Sequence, residues 1–530
     1  MNNLSTFKNT LSFVFIIVLL SSCQPSKSPQ SDKEDFVYVE NKIFKIKQDT
    51  FFPMMLNYVI DFRDINNDLF VSASKNYENP DTYEYETKEE SLKQLSIHFR
   101  LIKQLGFNTL RICMDRVDSD RKGNYFYKAD NKKYFIKKEG RKITQALQEC
   151  IDIAQDNDLK VMLLIKPPIN NKDLENFTIQ LLKKFYNQPT IFAYDFMNEP
   201  LYFDHEANRK KKDAVRIVNR WKELMSLHAP NQLLTIGFSE PIEVFEWDPS
   251  ILAVDFVQVH TYHPLRVPNE IYWYSQYIDK AWMIGETALP ADNDSISYEM
   301  QRQFIIDAFN YTVDCGGCGF GWWEFQEVKN THFEAQYTGL LNHDSITLCD
   351  NYQLIGTLKP AAYEVASLKN HKKQKAKQAV NYYNMMGYKN ICIKGKIINK
   401  TNNQAIEGAV IRGWNKDWSV GMNTFTNAQG EFTLYSNDEC VRFEISAPGM
   451  TKVKFNKNIT YNNKENKPIN IENLTQKDLE YHQISFMPFL TDSSFKNTSS
   501  PYPIFDFKPQ MFKQAKLKGN MGVIYLESLK

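Results

Sequence analysis

Two glutamates in similar surroundings are the residues of this sequence that point most directly to chemistry. Glu199 stands in an Asn-Glu-Pro sequence that closes the apolar run at residues 191–197. Glu286 follows a second apolar run, at residues 282–285. Cleavage of a glycosidic bond needs such a pair, because one carboxyl group must hold a proton for the leaving oxygen while the other stays ionised to attack the sugar carbon. The pair predicts this chemistry if the fold brings the two side chains together.

Alternating strand-like and helix-like segments between about residues 50 and 368 supply the elements that can position these glutamates. Eight apolar runs typical of buried strands end near Tyr58, Cys113, Ile165, Met197, Phe238, His260, Ile284 and Trp322. Amphipathic stretches lie between them, at residues 90–105, 143–154, 174–185, 213–227 and 298–313. This alternation indicates a parallel sheet. We therefore expect an α/β fold, a (β/α)8 TIM barrel over residues 49–370, whose strand C-termini converge at one mouth.

Two further segments are predicted around this barrel. Residues 124–138 alternate aromatic and polar side chains, which indicates a hairpin inserted after the second strand. The strongly basic run at residues 371–377 could be read as a membrane or nucleic-acid patch. A solvated linker is the better interpretation of a charge run in this position, and we place that linker at residues 371–389.

From about residue 390 the sequence changes to short alternating runs separated by turn residues such as Asn427-Ala428-Gln429-Gly430. This pattern predicts a small all-β sandwich, which we assign to residues 390–530 together with a C-terminal extension. Residues 394–398, 406–410, 426–432 and 447–450 resemble carboxypeptidase-regulatory-like domains over roughly 65 residues. The resemblance implies a structural or spacer module.

The first residues have the features of an export signal. Lys8 precedes the ten-residue apolar stretch 11–20, which is too short to span a bilayer. Leu20-Ser21-Ser22-Cys23 looks like a bacterial lipobox, so residues 1–22 are predicted as a lipoprotein signal peptide and Cys23 as the lipidation site. The alternative is an ordinary signal peptide with a chance cysteine. Residues 23–48 are predicted as a flexible tether, and the protein as an exported bacterial lipoprotein anchored in a membrane, with the outer membrane or cell surface favoured.

Composition excludes several other classes of function. The 64 basic and 63 acidic residues give a net charge of +1, and no basic cluster is interleaved with aromatics, so nucleic acid is not a predicted partner. Cys315 and Cys318 form a CxxC, but no second ligand pair follows at zinc spacing. Neither a metal ion nor a cofactor is predicted.

The barrel segment resembles glycoside hydrolase family 5 and its relatives in the same clan of retaining β-glycanases, over about 300 residues. The resemblance implies that Glu199 is the general acid/base and Glu286 the nucleophile. It also implies that Asn198 binds the sugar 2-hydroxyl and that Arg111, at the end of the second strand, orients the nucleophile. A guanidinium beside a carboxylate also favours its charged form.

Further positions match the family pattern after strands six and eight. His260 and Tyr262 have the family's spacing, so Tyr262 is expected to bind Glu286 and His260 to contact substrate or Glu199. Trp322 or Trp323 corresponds to the aromatic platform under the reacting sugar, and Trp322 is narrowly favoured. Lys166 stands where many members carry a histidine, which leaves the subfamily and substrate open. It could contact an anionic or highly hydroxylated sugar, or pair with a carboxylate.

We therefore predict a lipid-anchored retaining glycoside hydrolase acting on β-linked oligo- or polysaccharides, either cellulase-like or mannanase-like. Three rival functions stay open. The first is a non-catalytic surface glycan-binding protein on the same scaffold, and the second is a transglycosylase with the same site. The third is a scaffold or adhesion lipoprotein in which the C-terminal sandwich is the active part.

Overall fold

The computed structural model describes most of the chain after the N-terminal segment. The described residues are 35–74, 87–369, 391–456, 461–462, 502–505 and 517–529, less gaps at 115, 207, 265, 329–332, 344–345, 350–351, 417, 419–420 and 437. The predicted signal peptide at residues 1–22, the lipidation site Cys23 and the predicted linker at residues 371–389 lie outside them.

Strands and helices alternate through the first part of the described chain. The strands are β1 (Tyr38–Glu40), β2 (Ile43–Ile46), β3 (Asp49–Thr50), β4 (Met54–Ile65), β5 (Asp68–Ala73), β6 (Thr109–Cys113), β7 (Val117–Ser119), β8 (Tyr125–Ala129), β9 (Lys132–Phe135), β10 (Lys160–Leu164), β11 (Ile191–Asn198), β12 (Leu233–Phe238), β13 (Val257–His260), β14 (Trp282–Glu286), β15 (Phe320–Trp322), β16 (Ile346–Cys349) and β17 (Tyr352–Ile355). The helices are α1 (Lys88–Gln104), α2 (Ile136–Asp156), α3 (Lys172–Lys184), α4 (Pro200–Phe203), α5 (Lys211–His228), α6 (Val267–Tyr277), α7 (Tyr298–Cys315), α8 (Phe333–Gln336) and α9 (Pro360–Glu364), with 3-10 helices at Pro241–Phe245 and Val365–Ser367.

Eight strands run parallel in the order β15-β4-β6-β10-β11-β12-β13-β14, with helices between most of them along the chain. This confirms the predicted parallel sheet, and each of these strands except β4 ends within two residues of its predicted end. Backbone hydrogen bonds of 2.9–3.2 Å also link residues 282–287 to residues 318–323. No ladder joins β14 to β15 in the described part of the chain, so closure into a (β/α)8 barrel stays a prediction.

Local sequence signals fix the ends of the helices that flank this sheet. The side chain of Thr87 accepts a hydrogen bond from the backbone N–H of Glu90, and the Glu90 carboxylate accepts one from the backbone N–H of Thr87, so α1 starts with a capping box. Ser297 caps α7 in a similar way, and Gly316 ends that helix in the left-handed region at φ 91°. In the described part of the chain, no helix combines the length and apolarity needed to cross a membrane.

A small antiparallel sheet of β1, β2 and β3 covers the end of the parallel sheet at which its strands begin. Phe44 of β2 is fully buried and packs edge-on against Phe256, with 4.9 Å between ring centroids. Lys160, the first residue of β10, donates a hydrogen bond to the Asp35 carbonyl. The flexible tether predicted at residues 23–48 is therefore wrong from residue 35 onward, because apolar side chains there are buried against the sheet.

Two hairpins project from the opposite end of the parallel sheet. One pairs β8 with β9 and confirms the hairpin predicted at residues 124–138. The other pairs the long β4 with β5 through a turn at Asn66 and Asn67, both of which have positive φ angles (54° and 67°). Asparagine tolerates this conformation, so the Asn-Asn pair allows β4 to extend to Ile65 rather than end near Tyr58.

The C-terminal part of the described chain forms two four-stranded sheets. Its strands are β18 (Ile391–Asn399), β19 (Val410–Trp414), β20 (Gly421–Phe425), β21 (Glu431–Ser436), β22 (Arg442–Ser446), β23 (Val453–Asn456), β24 (Tyr461–Asn462) and β25 (Leu517–Leu526). One sheet has the order β21-β18-β25-β24 and the other β20-β19-β22-β23, and their buried residues share one apolar cluster. This arrangement makes the predicted sandwich plausible, whereas its kinship to carboxypeptidase-regulatory-like domains stays a prediction.

The C-terminal sheets dock directly on the helices of the parallel sheet. Lys211, at the start of α5, is buried, and its Nζ donates to Asp248 Oδ2 (2.9 Å), Ser446 Oγ (2.8 Å) and the carbonyl of Met450 (2.7 Å). The same Asp248 oxygen accepts from the Gly449 backbone (2.9 Å). One buried ion pair therefore joins both parts of the molecule.

We expect the substitution Lys211→Met to destabilise the protein by about 3–5 kcal/mol, because it leaves the buried Asp248 carboxylate without its cation. Urea unfolding monitored by tryptophan fluorescence measures the change. The neighbouring Lys212 is exposed and serves as the matched control, since Lys212→Met should leave stability nearly unchanged. Equal effects of the two substitutions would contradict this account of the interface.

Candidate active site

The Arg111 guanidinium, fully buried at the centre of the parallel sheet, holds four neighbouring side chains. Its Nε donates to Asp195 Oδ2 (2.9 Å), its Nη2 to Asn198 Oδ1 (2.8 Å), and its Nη1 to Asn57 Oδ1 (3.0 Å) and to Glu286 Oε1. These residues come from β4, β6, β11 and β14, so the arginine fixes the relative positions of four strand ends. The structure thus brings together Arg111, Asn198 and Glu286, as the sequence predicted.

Glu286 accepts hydrogen bonds on both carboxylate oxygens. Oε1 receives Arg111, and Oε2 receives the hydroxyl of Tyr262 at 2.5 Å. His260 Nδ1 lies 3.4 Å from Oε1. The predicted contact between Tyr262 and Glu286 is present, and the carboxylate is held in one orientation.

Glu199 lies directly after β11 in a strained backbone conformation. Its φ of 40° falls in the left-handed region, which is uncommon for a residue other than glycine and is often found at functional sites. Its backbone N–H donates to the Gly237 carbonyl (2.8 Å), and Pro200 begins α4 immediately afterwards. The Asn-Glu-Pro sequence therefore turns the chain sharply and presents the Glu199 side chain at the strand end.

Burial raises the pKa of Glu199 from its ordinary 4.5 to about 7. The positive charge of Arg111 opposes this shift, while the negative charge of Glu240 adds to it. At neutral pH the carboxyl group is therefore partly protonated and able to give up a proton.

His260 connects the two glutamates. Its Nδ1 lies within hydrogen-bond distance of Glu199 Oε1 (3.0 Å), and burial lowers the pKa of the imidazole to about 4, so the ring is neutral at pH 7. The ring fits only because Gly237 and Gly285 have no side chains, since a Cβ at either position would lie 2.4 Å or 2.9 Å from it. The prediction that His260 contacts Glu199 agrees with this geometry.

Donor atoms of Glu199, His260 and Glu286 lie within 4.8 Å of one another, and among the described residues these three form the one cluster that could hold a metal ion. The guanidinium of Arg111 is bonded to the Glu286 oxygen that faces this cluster. Its positive charge disfavours a cation at the same place. The arrangement suits proton transfer between the groups better than metal binding.

A second acidic group lies behind Glu199. Glu240 is buried and accepts from the Tyr202 hydroxyl (2.8 Å), while Arg266 pairs with the same oxygen (2.6 Å). Asn423 of β20 reaches the other oxygen at 3.5 Å, and the charge of Arg412 of β19 lowers the pKa of Glu240. The C-terminal sheets therefore contribute to the electrostatic surroundings of the site.

Lys166 lies apart from the glutamate pair. It is half-buried and lines a cavity of about 340 Å³ that also borders Asn198, Tyr125 and Phe203. The structure thus places Lys166 beside the predicted site, at a distance from the carboxyl groups, in a space large enough for a sugar ring.

The choice of Trp322 as the aromatic platform is wrong. Trp322 is fully buried, its ring lies 6.1 Å from that of Phe304 on α7, and its Nε1 donates to the Thr338 carbonyl (3.1 Å). The other residue named from the sequence, Trp323, follows the end of β15 and is the remaining candidate for the platform. Trp323 is half-buried and packs against Cys113, two residues after Arg111.

Two members of the arginine network were missed from the sequence. Asp195 and Asn57 are both fully buried polar residues, and Asn57 also donates to the carbonyls of Gly285 (3.0 Å) and Trp322 (2.9 Å). Each interrupts an otherwise apolar strand, and a charged or amide side chain inside such a run was the available signal.

Residues 76–300 match the family model described as Cellulase (glycosyl hydrolase family 5). This segment is less than half of the chain. Trp322 and Trp323 lie outside it, and it contains the other residues predicted for the site: Arg111, Lys166, Asn198, Glu199, His260, Tyr262 and Glu286. No curated protein matches the sequence significantly.

Several solved structures are similar to this chain at low identity. An endo-1,4-β-mannanase from Rhizomucor miehei is 14% identical, with a TM-score of 0.38, over 55% of this chain and 90% of that one. The exo-β-1,4-mannosidase Op5Man5 from Opitutaceae bacterium strain TAV5 is 13% identical, with a TM-score of 0.45, over 62% and 61%. β-Glucuronidase 2 from Bacteroides uniformis is 12% identical, with a TM-score of 0.42, over 79% and 47%. This chain therefore spans less than two thirds of the last two.

The raised pKa of Glu199 predicts a pH-dependent effect on stability. The folded protein binds the Glu199 proton more tightly than the unfolded chain, so this group's contribution to stability is present below pH 4.5 and is lost as the pH rises through about 7. We therefore expect the melting temperature of Glu199→Gln minus that of wild type, measured by calorimetry, to become more positive from pH 4.5 to pH 8.

The control for this measurement is Glu89→Gln, because Glu89 is an exposed glutamate on α1. Its effect on the melting temperature should be nearly the same at the two pH values. A Glu199→Gln variant that behaves like this control would show that burial does not raise the pKa of Glu199.

Proposed function

We propose that this protein is a retaining glycoside hydrolase that cleaves β-linked glycans on a closed (β/α)8 barrel. The observation that carries the proposal is the pair Glu199 and Glu286, which lie at two strand ends with one carboxyl oxygen of each within 4.8 Å of the other. Retaining enzymes hold their carboxyl groups about 5–5.5 Å apart, whereas inverting enzymes need about 6.5–9.5 Å to admit a water molecule. The family match over residues 76–300 includes both glutamates and supports the same reaction class.

In the first step Glu286 attacks the anomeric carbon, and the bond from that carbon to the leaving oxygen breaks. Its two hydrogen bonds, from Arg111 and Tyr262, hold the carboxylate in one orientation for this attack. The leaving oxygen takes the proton of Glu199, whose buried carboxyl group retains it near neutral pH. The sugar is now joined to Glu286 through an ester bond.

In the second step Glu199, now ionised, takes a proton from water while the water oxygen attacks the anomeric carbon. The ester bond to Glu286 breaks, and the starting state is restored. In this scheme the neutral His260 donates to Glu199 and stabilises its charged form between the steps. In the same scheme Asn198, which is bonded to Arg111, binds the sugar 2-hydroxyl, and Trp323 stacks beneath the ring. No residue role in this scheme requires a cofactor.

The cellular setting belongs to the same proposal. The Leu-Ser-Ser-Cys sequence ending at Cys23 supports lipidation of that cysteine and attachment to a membrane surface. An anchored enzyme of this kind would act on an oligo- or polysaccharide outside the cytoplasm. Globomycin treatment of expressing cells tests the anchor, because it should cause the uncleaved precursor to accumulate, whereas Cys23→Ser should prevent lipid labelling.

The reaction is tested with the soluble chain that begins after Cys23. We expect wild type to release reducing sugars from at least one of β-1,4-glucan, β-1,4-mannan and xylan. Glu199→Gln should reduce the activity by about 10²–10⁴-fold because it removes proton transfer, and Glu286→Gln should reduce it at least as much. Proton NMR of the first product should show the β-anomer.

The exposed-residue variant Glu89→Gln is the control for this assay and should act as wild type does. Activity that survives both active-site substitutions would refute the assignment of the glutamates, and an initial α-anomer would refute retention. Binding of a glycan without turnover would favour the glycan-binding rival.

The pH dependence provides a separate prediction. Loss of the Glu199 proton should remove the general acid, so kcat/KM should fall tenfold per pH unit above about pH 7. A 2,4-dinitrophenyl β-glycoside does not need that proton for its leaving group, so its alkaline limb should be shallower. Rates from pH 4 to 9 with both substrate types measure this, and identical profiles would contradict the role of Glu199.

A further inference from the structure

Glu324 is a buried carboxyl group that the proposed mechanism does not use. It lies just past the end of β15, and the residue is 1% exposed. Its Oε1 is buried and has no hydrogen-bond partner in the described part of the chain. An unsatisfied buried polar atom is costly, and native proteins retain one where it serves a purpose.

The position of Glu324 is fixed beside the nucleophile. The backbone N–H of the preceding residue, Trp323, donates to the carbonyl of Thr287 (3.1 Å), the residue after Glu286. The Glu324 carbonyl itself accepts from Leu340 (3.0 Å). The segment that carries Glu324 is therefore hydrogen-bonded to the segment that carries the nucleophile.

The Glu324 carboxyl group also interacts electrostatically with residues of the site. Burial raises the pKa of Glu324 well above its ordinary value, and the charge of Glu286 raises it further. Glu324 in turn raises the pKa of Tyr262, which is bonded to Glu286. Burial favours the protonated form of this carboxyl group, which has one O–H to donate and a carbonyl oxygen to accept.

The surroundings select the kind of ligand group that this acid can bind. Arg111, which is bonded to Asp195 and Glu286, and Arg116, which pairs with Asp61 (3.1 Å), are already engaged. Lys166 lies apart from them, in the cavity that borders Asn198. A carboxylate on the bound sugar at Glu324 would thus lie beside Glu286, and the negative charge there disfavours it. A hydroxyl group can accept from and donate to the neutral acid.

Building on the glycosidase function proposed above, we propose that Glu324 is a substrate-binding residue that hydrogen-bonds one hydroxyl of the uncharged sugar whose glycosidic bond is broken. The residue acts together with Trp323, which contacts the face of that sugar. Because the site would be complete only with the sugar bound, Glu324 also contributes to the choice of substrate.

The test uses the 2,4-dinitrophenyl β-glycoside that wild type cleaves best, with its four monodeoxy analogues at C2, C3, C4 and C6. For one analogue, the ratio of kcat/KM for the parent to kcat/KM for the analogue should be about 10- to 100-fold larger in wild type than in Glu324→Leu. Glu324→Leu should lose that discrimination at the same position while keeping it at the others. Glu324→Gln, which keeps a donor and an acceptor, should restore part of it.

Stability measurements separate binding from a merely structural role. Glu324→Leu removes an unsatisfied polar group, so its melting temperature should equal or exceed that of wild type. The matched control is Glu327→Leu, because Glu327 is equally buried but pairs with Lys359 at 2.5 Å. That substitution should lower the melting temperature.

Three outcomes would overturn the role of Glu324 while leaving the glycosidase intact. They are an equal loss of rate on the parent and all analogues, a drop in melting temperature as large as that of Glu327→Leu, and a preference of wild type for the 2,4-dinitrophenyl β-glucuronide over uncharged glycosides. Failure of wild type to cleave any parent glycoside or polysaccharide would instead refute the proposed function itself.

Discussion

The guanidinium of Arg111 is the interaction on which the rest of the site depends. It is fully buried, and it binds side chains from three other strands of the parallel sheet. A cation in this position is tolerated because Asp195 and Glu286 supply two carboxylates. In return it sets the orientation of Glu286 and, through Asn198, of the chain that leads into the strained Glu199. The hydrogen bonds of Arg111 thus fix the positions of the two glutamates relative to each other before any substrate binds.

The C-terminal sheets are part of the same structural unit. The buried Lys211 of α5 donates a hydrogen bond to Ser446 of the sheets, and Trp273 of α6 donates one to the Gly408 carbonyl (3.0 Å). Asn423 of the sheets donates to Glu240, the acidic group behind Glu199. These contacts differ from those of a spacer, which would share few buried groups with its neighbour. Changes in the sheets can therefore reach the site through electrostatics, although the sheets contribute neither glutamate.

The sequence predicted the features that depend on periodicity and on residues at strand ends. It did not predict the features that depend on tertiary packing. Apolar runs located all eight parallel strands, and the Asn-Glu-Pro and Gly-Glu sequences located both carboxyl groups. The choice of Trp322 turned on which side of the strand that residue faces, and the register of a three-residue strand cannot be read from an apolar run. The cap formed by β1–β3 was missed because its strands are only two to four residues long, and Phe44 is the one residue in them that is buried.

The cap formed by β1–β3 lies at the end of the parallel sheet opposite the two glutamates. It seals the end at which the parallel strands start, and Asp35 is held there by Lys160, whereas both glutamates lie at the end at which the strands finish. Whatever segment precedes residue 35 leaves from the pole opposite the site. Attachment to a surface through that segment would leave the catalytic pole pointing outward, so that a long polymer could approach without passing between the protein and the surface.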